Sequence, residues 1–403
     1  MLNFSDLNIL SILIFVLVIA IVVARNRKKF ERQAILLLYK TQRGKEMLIS
    51  LGTSHPRFWK WFGNAGIVAG FASGLYMIYL LLQIFYDNVG RIISGEEPVQ
   101  ALGLVLPTSS TSASFTPGLF LVPFWYWIIS IAVLVIFHEG VHGVLCARER
   151  IRIKSLGLGL LAVIPLAFVE PDENQLKKRP AGQQMRVFAV GSFANFIIAG
   201  VCFLAITFAF SGIFTPGGVI VTGIVNGTPA HQANLSGAIF QIDSYSINDV
   251  DDLRNALDRI GPGKSITIQT KTLEDGVIVK KSHRLTTAEQ RNETTNQTTG
   301  RGFIGITFSP DKRQSTFQEI RAEYMDYEQL IMFFNGLFVF MFIINLGVGM
   351  VNMLPIGPLD GGRMWDVTLK KFFPRNYKRI MSGLSLGLLL LIIVIFASQF
   401  VRL

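Results

Sequence analysis

Two histidines four residues apart, with a glutamate beside the first, stand in Val135-Ile136-Phe137-His138-Glu139-Gly140-Val141-His142. On a helix, residues four apart share a face one turn apart, so both imidazoles can converge on one metal ion. Zinc in such a setting lowers the pKa of a coordinated water to about 7, and a carboxylate placed like that of Glu139 takes the proton. The octapeptide lies inside an apolar run, where a charged side chain costs at least about 3 kcal/mol. That cost argues for a functional site over two histidines that merely hydrogen-bond between helices.

A catalytic zinc needs a third protein ligand and one open position. His55 falls in a basic loop, and His231 and His283 fall in a later polar segment. Cys146 shares the helical face of His142, but it lies eight residues beyond His138. That separation is about 12 Å along the axis at about 1.5 Å per residue, and zinc bonds of about 2.0–2.3 Å cannot bridge it. Cys146 therefore reads as core packing. Asp360 fits better, in Asn352-Met353-Leu354-Pro355-Ile356-Gly357-Pro358-Leu359-Asp360-Gly361-Gly362. Its prolines and glycines must break the apolar helix before it, and an acidic residue at such a break marks a site. Taken alone, Asp360 would read as well as the cap of a following helix.

Positioning these groups calls for membrane elements. Half of the 403 residues are hydrophobic and 16% are charged, with a mean hydropathy of +0.44; soluble domains carry about 25% charged residues. A spanning helix needs about 20 mainly apolar residues, and 9–24, 63–85, 120–146, 187–211, 329–351 and 382–400 qualify. Ser155–Val169, interrupted by Gly157, Gly159 and Pro165, alternates like strands and reads as a membrane hairpin. Such backbone is tolerated at membrane depth only when buried in protein or lining a cavity. The net charge of +11 comes from Lys and Arg beside the apolar runs, in 25–61, 147–154, 177–186 and 370–379. This distribution argues against nucleic acid, and by the positive-inside rule it assigns those segments to the cytoplasm. The N-terminus, 86–118, 212–328 and the extreme C-terminus then face outside. Basic residues follow the first apolar run, as in a retained anchor rather than a signal peptide. The 25–61 stretch reads as a solvated linker near anionic headgroups. Cys146 and Cys202 both sit in apolar runs, which excludes a disulfide framework.

Residues 212–328 change character. Gly218–Val225, Ser265–Lys271 and Val277–Leu285 read as strands, and Asp249–Ile260 as a helix stopped by Gly261-Pro262-Gly263. The run Val225-Asn226-Gly227-Thr228-Pro229-Ala230, then a short helix, strand, helix and Pro262-Gly263-Lys264, resembles a PDZ domain. It departs from that pattern at Gly237-Ala238, where Gly-Asp is frequent. The resemblance implies peptide capture by strand addition; a rigid steric cap is the alternative. Residues 286–300 are expected to form a flexible loop, with glycosylation sequons at Asn292 and Asn296 that suit an outward face.

The combination of His138-Glu139-Gly140-Val141-His142, the Asn352-to-Gly362 segment and Gly191-Ser192-Phe193-Ala194-Asn195 resembles the site-two protease family, over about residues 120–370. The resemblance implies one zinc per chain on His138, His142 and Asp360, with Glu139 as general base and then acid. It implies cleavage of transmembrane-helix protein substrates near the cytoplasmic side of the bilayer, in regulated intramembrane proteolysis. Asn195 and Asn352 match further polar positions of the family. Their amides would bind the substrate strand or an oxyanion, or else join helices by hydrogen bonds. Glu170 matches the segment after the hairpin, without a readable role. The expected fold is a polytopic α-helical membrane protein of about six transmembrane helices plus a membrane hairpin, with an inserted α+β PDZ-like domain. Its divisions are 1–62 (first helix and basic linker), 63–211 (membrane core with the histidines), 212–310 (the extracytoplasmic PDZ-like domain) and 311–403 (membrane core with Asp360). Two rivals remain: a membrane zinc hydrolase acting on a lipid or small amide, and a non-catalytic scaffold or metal transporter. A scaffold has no use for Glu139.

Overall fold

The computed structural model describes residues 4–33, 36–110, 113–161, 164–274, 277–291, 298–309 and 315–401. Its helices are α1 (Phe4–Arg25), α2 (Lys45–Ser54), α3 (Pro56–Ile93), α4 (Phe124–Arg148), α5 (Glu173–Lys177), α6 (Ala181–Leu204), α7 (Pro229–Gln232), α8 (Val250–Ile260), α9 (Glu328–Val351), α10 (Asp360–Phe372) and α11 (Tyr377–Ser398). Among the described residues, six helices are long and apolar enough to cross a membrane: α1, α3, α4, α6, α9 and α11. They contain the expected runs 9–24, 63–85 and 329–351, whereas the run 120–146 begins in a strand before α4, and the runs 187–211 and 382–400 extend past the ends of α6 and α11. Prolines set several starts, because the missing N–H is an orphan in a first turn anyway: Pro56 opens α3, and Pro123 and Pro180 immediately precede α4 and α6.

The chain divides into two compact units, Met1–Ile206 with Phe334–Leu403, and Thr207–Phe333. In the first, β1 (Phe30–Gln33), β2 (Leu36–Thr41), β6 (Ile153–Leu161) and β7 (Ile164–Pro171) form one antiparallel sheet in the order β1-β2-β6-β7. The hairpin expected over 155–169 is thus the β6–β7 pair, with Leu156 opposite Val169. The basic 25–61 stretch is not a loose linker: it supplies two strands of this sheet and then α2, and β2 pairs with β6 from Leu36↔Leu161 to Thr41↔Leu156. The 86–118 loop likewise holds the last turns of α3 and the strands β3 (Leu104–Thr108) and β4 (Ser114–Thr116), both paired with β5 (Leu119–Pro123). A core of Leu48, Val144, Leu145, Val187, Val190, Met353 and Met364, among others, packs α2, α4, α6 and α10 together.

The second unit is built on β8 (Phe214–Ile220), β10 (Ala238–Ile242), β12 (Ser265–Glu274), β13 (Val277–Thr286) and β17 (Thr316–Ile320), in the order β13-β12-β10-β8-β17. The sheet therefore runs past residue 310, because β17 pairs with β8. The short strands β9 (Gly223–Ile224) and β16 (Ile306–Thr307) pair with each other, β11 (Tyr245–Ser246) with β10, and β14 (Ala288–Arg291) with β15 (Thr298–Phe303). Helix α8 starts where the Asp249 carboxylate accepts from the Asp252 N–H, and it ends at Gly261 with φ at +73°. Its Val250, Leu253 and Ala256 join Ile239, Ile242, Ile266 and Ile268 in a separate apolar core. Part of the expected 286–300 loop is paired strand, Ala288–Arg291 against Thr298–Phe303. The sequons at Asn292 and Asn296 lie outside the described residues.

Candidate metal centre

Helix α4 carries His138, Glu139 and His142 over its last three turns, packed against α6. Val187, on α6, offers its carbonyl to His142 Nδ1 at 2.6 Å. A carbonyl only accepts, so the proton sits on Nδ1 and Nε2 keeps its lone pair. One turn along α6, Gly191 leaves the space the imidazoles need. A Cβ there would lie 2.3 Å from His142 Nε2 and 2.7 Å from His138 Nε2.

The third group arrives from the break between α9 and α10. Pro355 has no N–H with which to continue α9, and the chain folds back so that the Gly361 N–H donates to the Asn352 carbonyl at 2.8 Å. Any Cβ on Gly361 would come within 2.2 Å of Met353 backbone atoms, and one on Gly362 within 2.1 Å of the Ile356 carbonyl oxygen. The paired glycines are thus a steric requirement of the loop. Asp360 is the first residue of α10, and its Oδ2 accepts from the Asn352 side-chain amide at 2.9 Å. Asp360 therefore does not cap α10, whose cap position is Leu359, and its carboxylate turns to Asn352 and the histidines instead.

His138 Nε2, His142 Nε2 and Asp360 Oδ2 form a triangle with sides of 3.2, 3.1 and 3.3 Å. Tetrahedral zinc with bonds of about 2.0–2.1 Å puts its donors roughly 3.3 Å apart. Two imidazoles and one carboxylate at that spacing fit one such ion and leave a fourth position open. The three side chains are mostly buried, at 12%, 14% and 15% exposure. They border a cavity of about 340 Å³ whose walls include Phe168, Val169, Val187, Phe188, Pro358 and Arg363. Glu139 borders it too, and its Oε2 accepts from the Val169 N–H at 3.1 Å, which aims the carboxylate at the outer edge of β7. On α5, whose Leu176 lines the same cavity, Glu173 is held below the ordinary carboxylate range by Lys177 at 2.9 Å and more weakly by Arg363.

The four residues expected to do chemistry lie together. Asn352 joins them at the cavity wall, but Asn195 is fully buried and meets the His138 ring instead of the cavity. Cys146 borders the cavity outside the ligand cluster, in agreement with the spacing argument. Glu170 accepts from Ser155 Oγ at 2.7 Å across the β6–β7 pair. Several groups escaped the sequence reading. The Val187 carbonyl and the Val169 N–H are backbone atoms with no residue-type signal, and Arg363 was hidden in a turn read only for its glycines. Gly191 stood inside a noted motif, though its steric role needs the position of a second helix.

A family model described as Peptidase family M50 matches residues 126–394, more than half of the chain. An uncharacterized protein of Methanocaldococcus jannaschii is 25% identical over 362 residues, covering 89% of this chain and 84% of that one. Proteins of Staphylococcus aureus strains COL and N315, each named "Putative zinc metalloprotease", are 24% identical over 273 residues. Those two matches cover 57% of this chain and 61% of theirs, less than two thirds of the Staphylococcus proteins.

Proposed function

This chain belongs to peptidase family M50, the site-two protease family of metalloproteases, and we propose that it hydrolyses peptide bonds of transmembrane-helix substrates within the membrane, using one zinc ion. The observation that carries this reading is the triangle of two imidazole nitrogens from a membrane-length helix and the Asp360 carboxylate oxygen, with a second carboxylate, Glu139, on the same cavity. A zinc ion there would polarise the substrate carbonyl and acidify the attacking water. His138, His142 and Asp360 would hold the metal, and Glu139 would take the attacking water's proton and pass it to the leaving amine.

Substrate presentation follows from the sheet. β7 is an edge strand, and the Val169 N–H points away from its partner β6. Backbone groups of alternate residues share that direction, so the outer edge of β7 runs from Ala167 to Val169, whose N–H is held by Glu139. A transmembrane helix shields its carbonyls in internal hydrogen bonds and must unwind before cleavage. Once extended, it can add to β7 as a further strand. Asn352, at the cavity wall, is available to the substrate carbonyl oxygen. The basic segments orient the centre toward the cytoplasm. The Thr207–Phe333 unit, which we read as PDZ-like and extracytoplasmic, restricts which substrates reach the core.

The test is cleavage of a fluorescent transmembrane substrate by detergent-purified wild type and Glu139→Gln, with zinc measured on both. The expected result is loss of cleavage by about 100–10,000-fold, the worth of a proton-transfer group, with about one zinc retained per chain. Equal cleavage by both proteins, or absence of zinc from the wild type, would refute the proposal.

A further inference from the structure

His138 poses a question that His142 does not. An imidazole that ligates through Nε2 must carry its proton on Nδ1, and a buried Nδ1–H needs an acceptor. For His142 the acceptor is the Val187 carbonyl. His138 turns its Nε2 toward His142 Nε2 and Asp360 Oδ2, so its Nδ1 faces the other way. There it meets Asn195, with the amide Nδ2 at 3.1 Å. An amide nitrogen only donates. With that atom on the ring, the proton would belong on Nε2, where the metal must bind. The Asn195 oxygen meanwhile has no hydrogen-bond partner, although the side chain is fully buried.

One rearrangement answers both facts. The oxygen and nitrogen of an amide have nearly the same shape and exchange places by a half-turn of the terminal bond. With the oxygen on the ring, it gains a donor, Nδ1–H keeps its proton, and Nε2 is free. We infer that Asn195 is a positioning residue: its side-chain carbonyl accepts from Nδ1–H of His138 and fixes the tautomer and ring plane that present Nε2 to the metal. The inference rests on the metalloprotease reading above.

The layout of α6 supports it independently. Val187, Gly191 and Asn195 are four residues apart and share one helical face. Val187 supports His142, Gly191 clears the room for both Nε2 atoms, and Asn195 meets His138. Going down α6 thus goes up α4, and each imidazole has its own acceptor on the same ridge. A residue that served only to join helices would have no reason to oppose the back of a ligand ring. Outer partners of this kind typically set metal affinity by about 10–100-fold.

The test compares zinc dissociation constants, by chelator competition, for the full-length wild type, Asn195→Leu and Asn195→Asp. Leucine copies the shape without an acceptor, and aspartate is an acceptor that cannot donate when ionised. The expected result is a loss of about 10–100-fold for leucine, with aspartate close to wild type. Unfolding of the metal-stripped proteins is followed in parallel; should the leucine variant fail to fold, aspartate against wild type decides, since a ring that needs a donor would lose its zinc there. Wild-type affinity in the leucine variant, or a loss in aspartate as deep as that in leucine, would overturn the inference while the metalloprotease reading stands. A wild type that binds no zinc would bring down both.

Discussion

Gly191 holds open the one place where three donor atoms converge. A methyl group there would come 2.3 Å from His142 Nε2, well inside the roughly 3.5–4.0 Å of ordinary non-bonded contact. Gly191→Ala is therefore expected to lower zinc affinity by about 100-fold or more, at or beyond the top of the range for residues around a metal site. Spanning helices should remain intact, since alanine favours helix over glycine by about 1 kcal/mol. Zinc stoichiometry and circular dichroism on the same preparation check both halves. At this scale much of the centre was legible: four-residue spacing and an acidic residue in a proline-glycine break name His138, Glu139, His142 and Asp360. What stayed hidden was contributed by backbone or by contact. No residue type announces the Val187 carbonyl or the Val169 N–H. Asn195 could be singled out as a polar group in a span, but its partner depends on how α6 is rotated against α4.

The elements hold the centre through contacts that carry no chemistry of their own. Helix α3 presses Gly74 against the loop before Asp360, where a Cβ would lie 2.5 Å from the Met353 carbonyl oxygen. Overfilling such a contact costs about 1–3 kcal/mol, so Gly74→Val should destabilise the protein and weaken zinc retention together, read as a lower temperature of zinc release. At the other end of the site helices, Glu149 is 3% exposed and accepts from Arg148 at 2.6 Å and Arg186 at 2.7 Å, tying the end of α4 to the start of α6. Glu149→Ala would strand the Arg186 charge in a site only 11% exposed. The expected cost is about 3–5 kcal/mol, seen as a lower unfolding midpoint in detergent. The six apolar runs announce their helices because length and hydropathy suffice. The strands within 30–41 do not, because β2 joins the sheet through β6, more than a hundred residues on, and β1 pairs only with β2. Their lysines and arginines also suggest a solvated linker, although Lys40 is spent on a cross-strand pair with Glu31 at 2.8 Å.

Across the whole molecule, every residue of the centre belongs to the unit Met1–Ile206 with Phe334–Leu403. The Thr207–Phe333 unit has its own sheet and its own apolar core. Replacing residues 214–320 with a short Gly/Ser linker is therefore expected to leave about one zinc per chain and to preserve cleavage of a substrate already trimmed to its transmembrane helix. Discrimination against the full-length substrate should fall, and the ratio of the two cleavage rates measures it. A variant that loses its zinc would show that the Thr207–Phe333 unit supports the core after all. The boundary of this unit was only partly legible, since the sheet closes with β17, a strand separated from β13 by some thirty residues of polar sequence.

The separation of the ligands along the chain has a consequence for how the enzyme is made. His142 and Asp360 are 218 residues apart, and at about 5–20 residues per second the ribosome needs roughly 10–40 s to pass from one to the other. During that interval the growing chain has a helix with two imidazoles and a carboxylate but cannot complete the coordination triangle. On the proposed reading, hydrolytic competence arrives only once residue 360 has been made. A chain ending before residue 360 would then lack the third ligand.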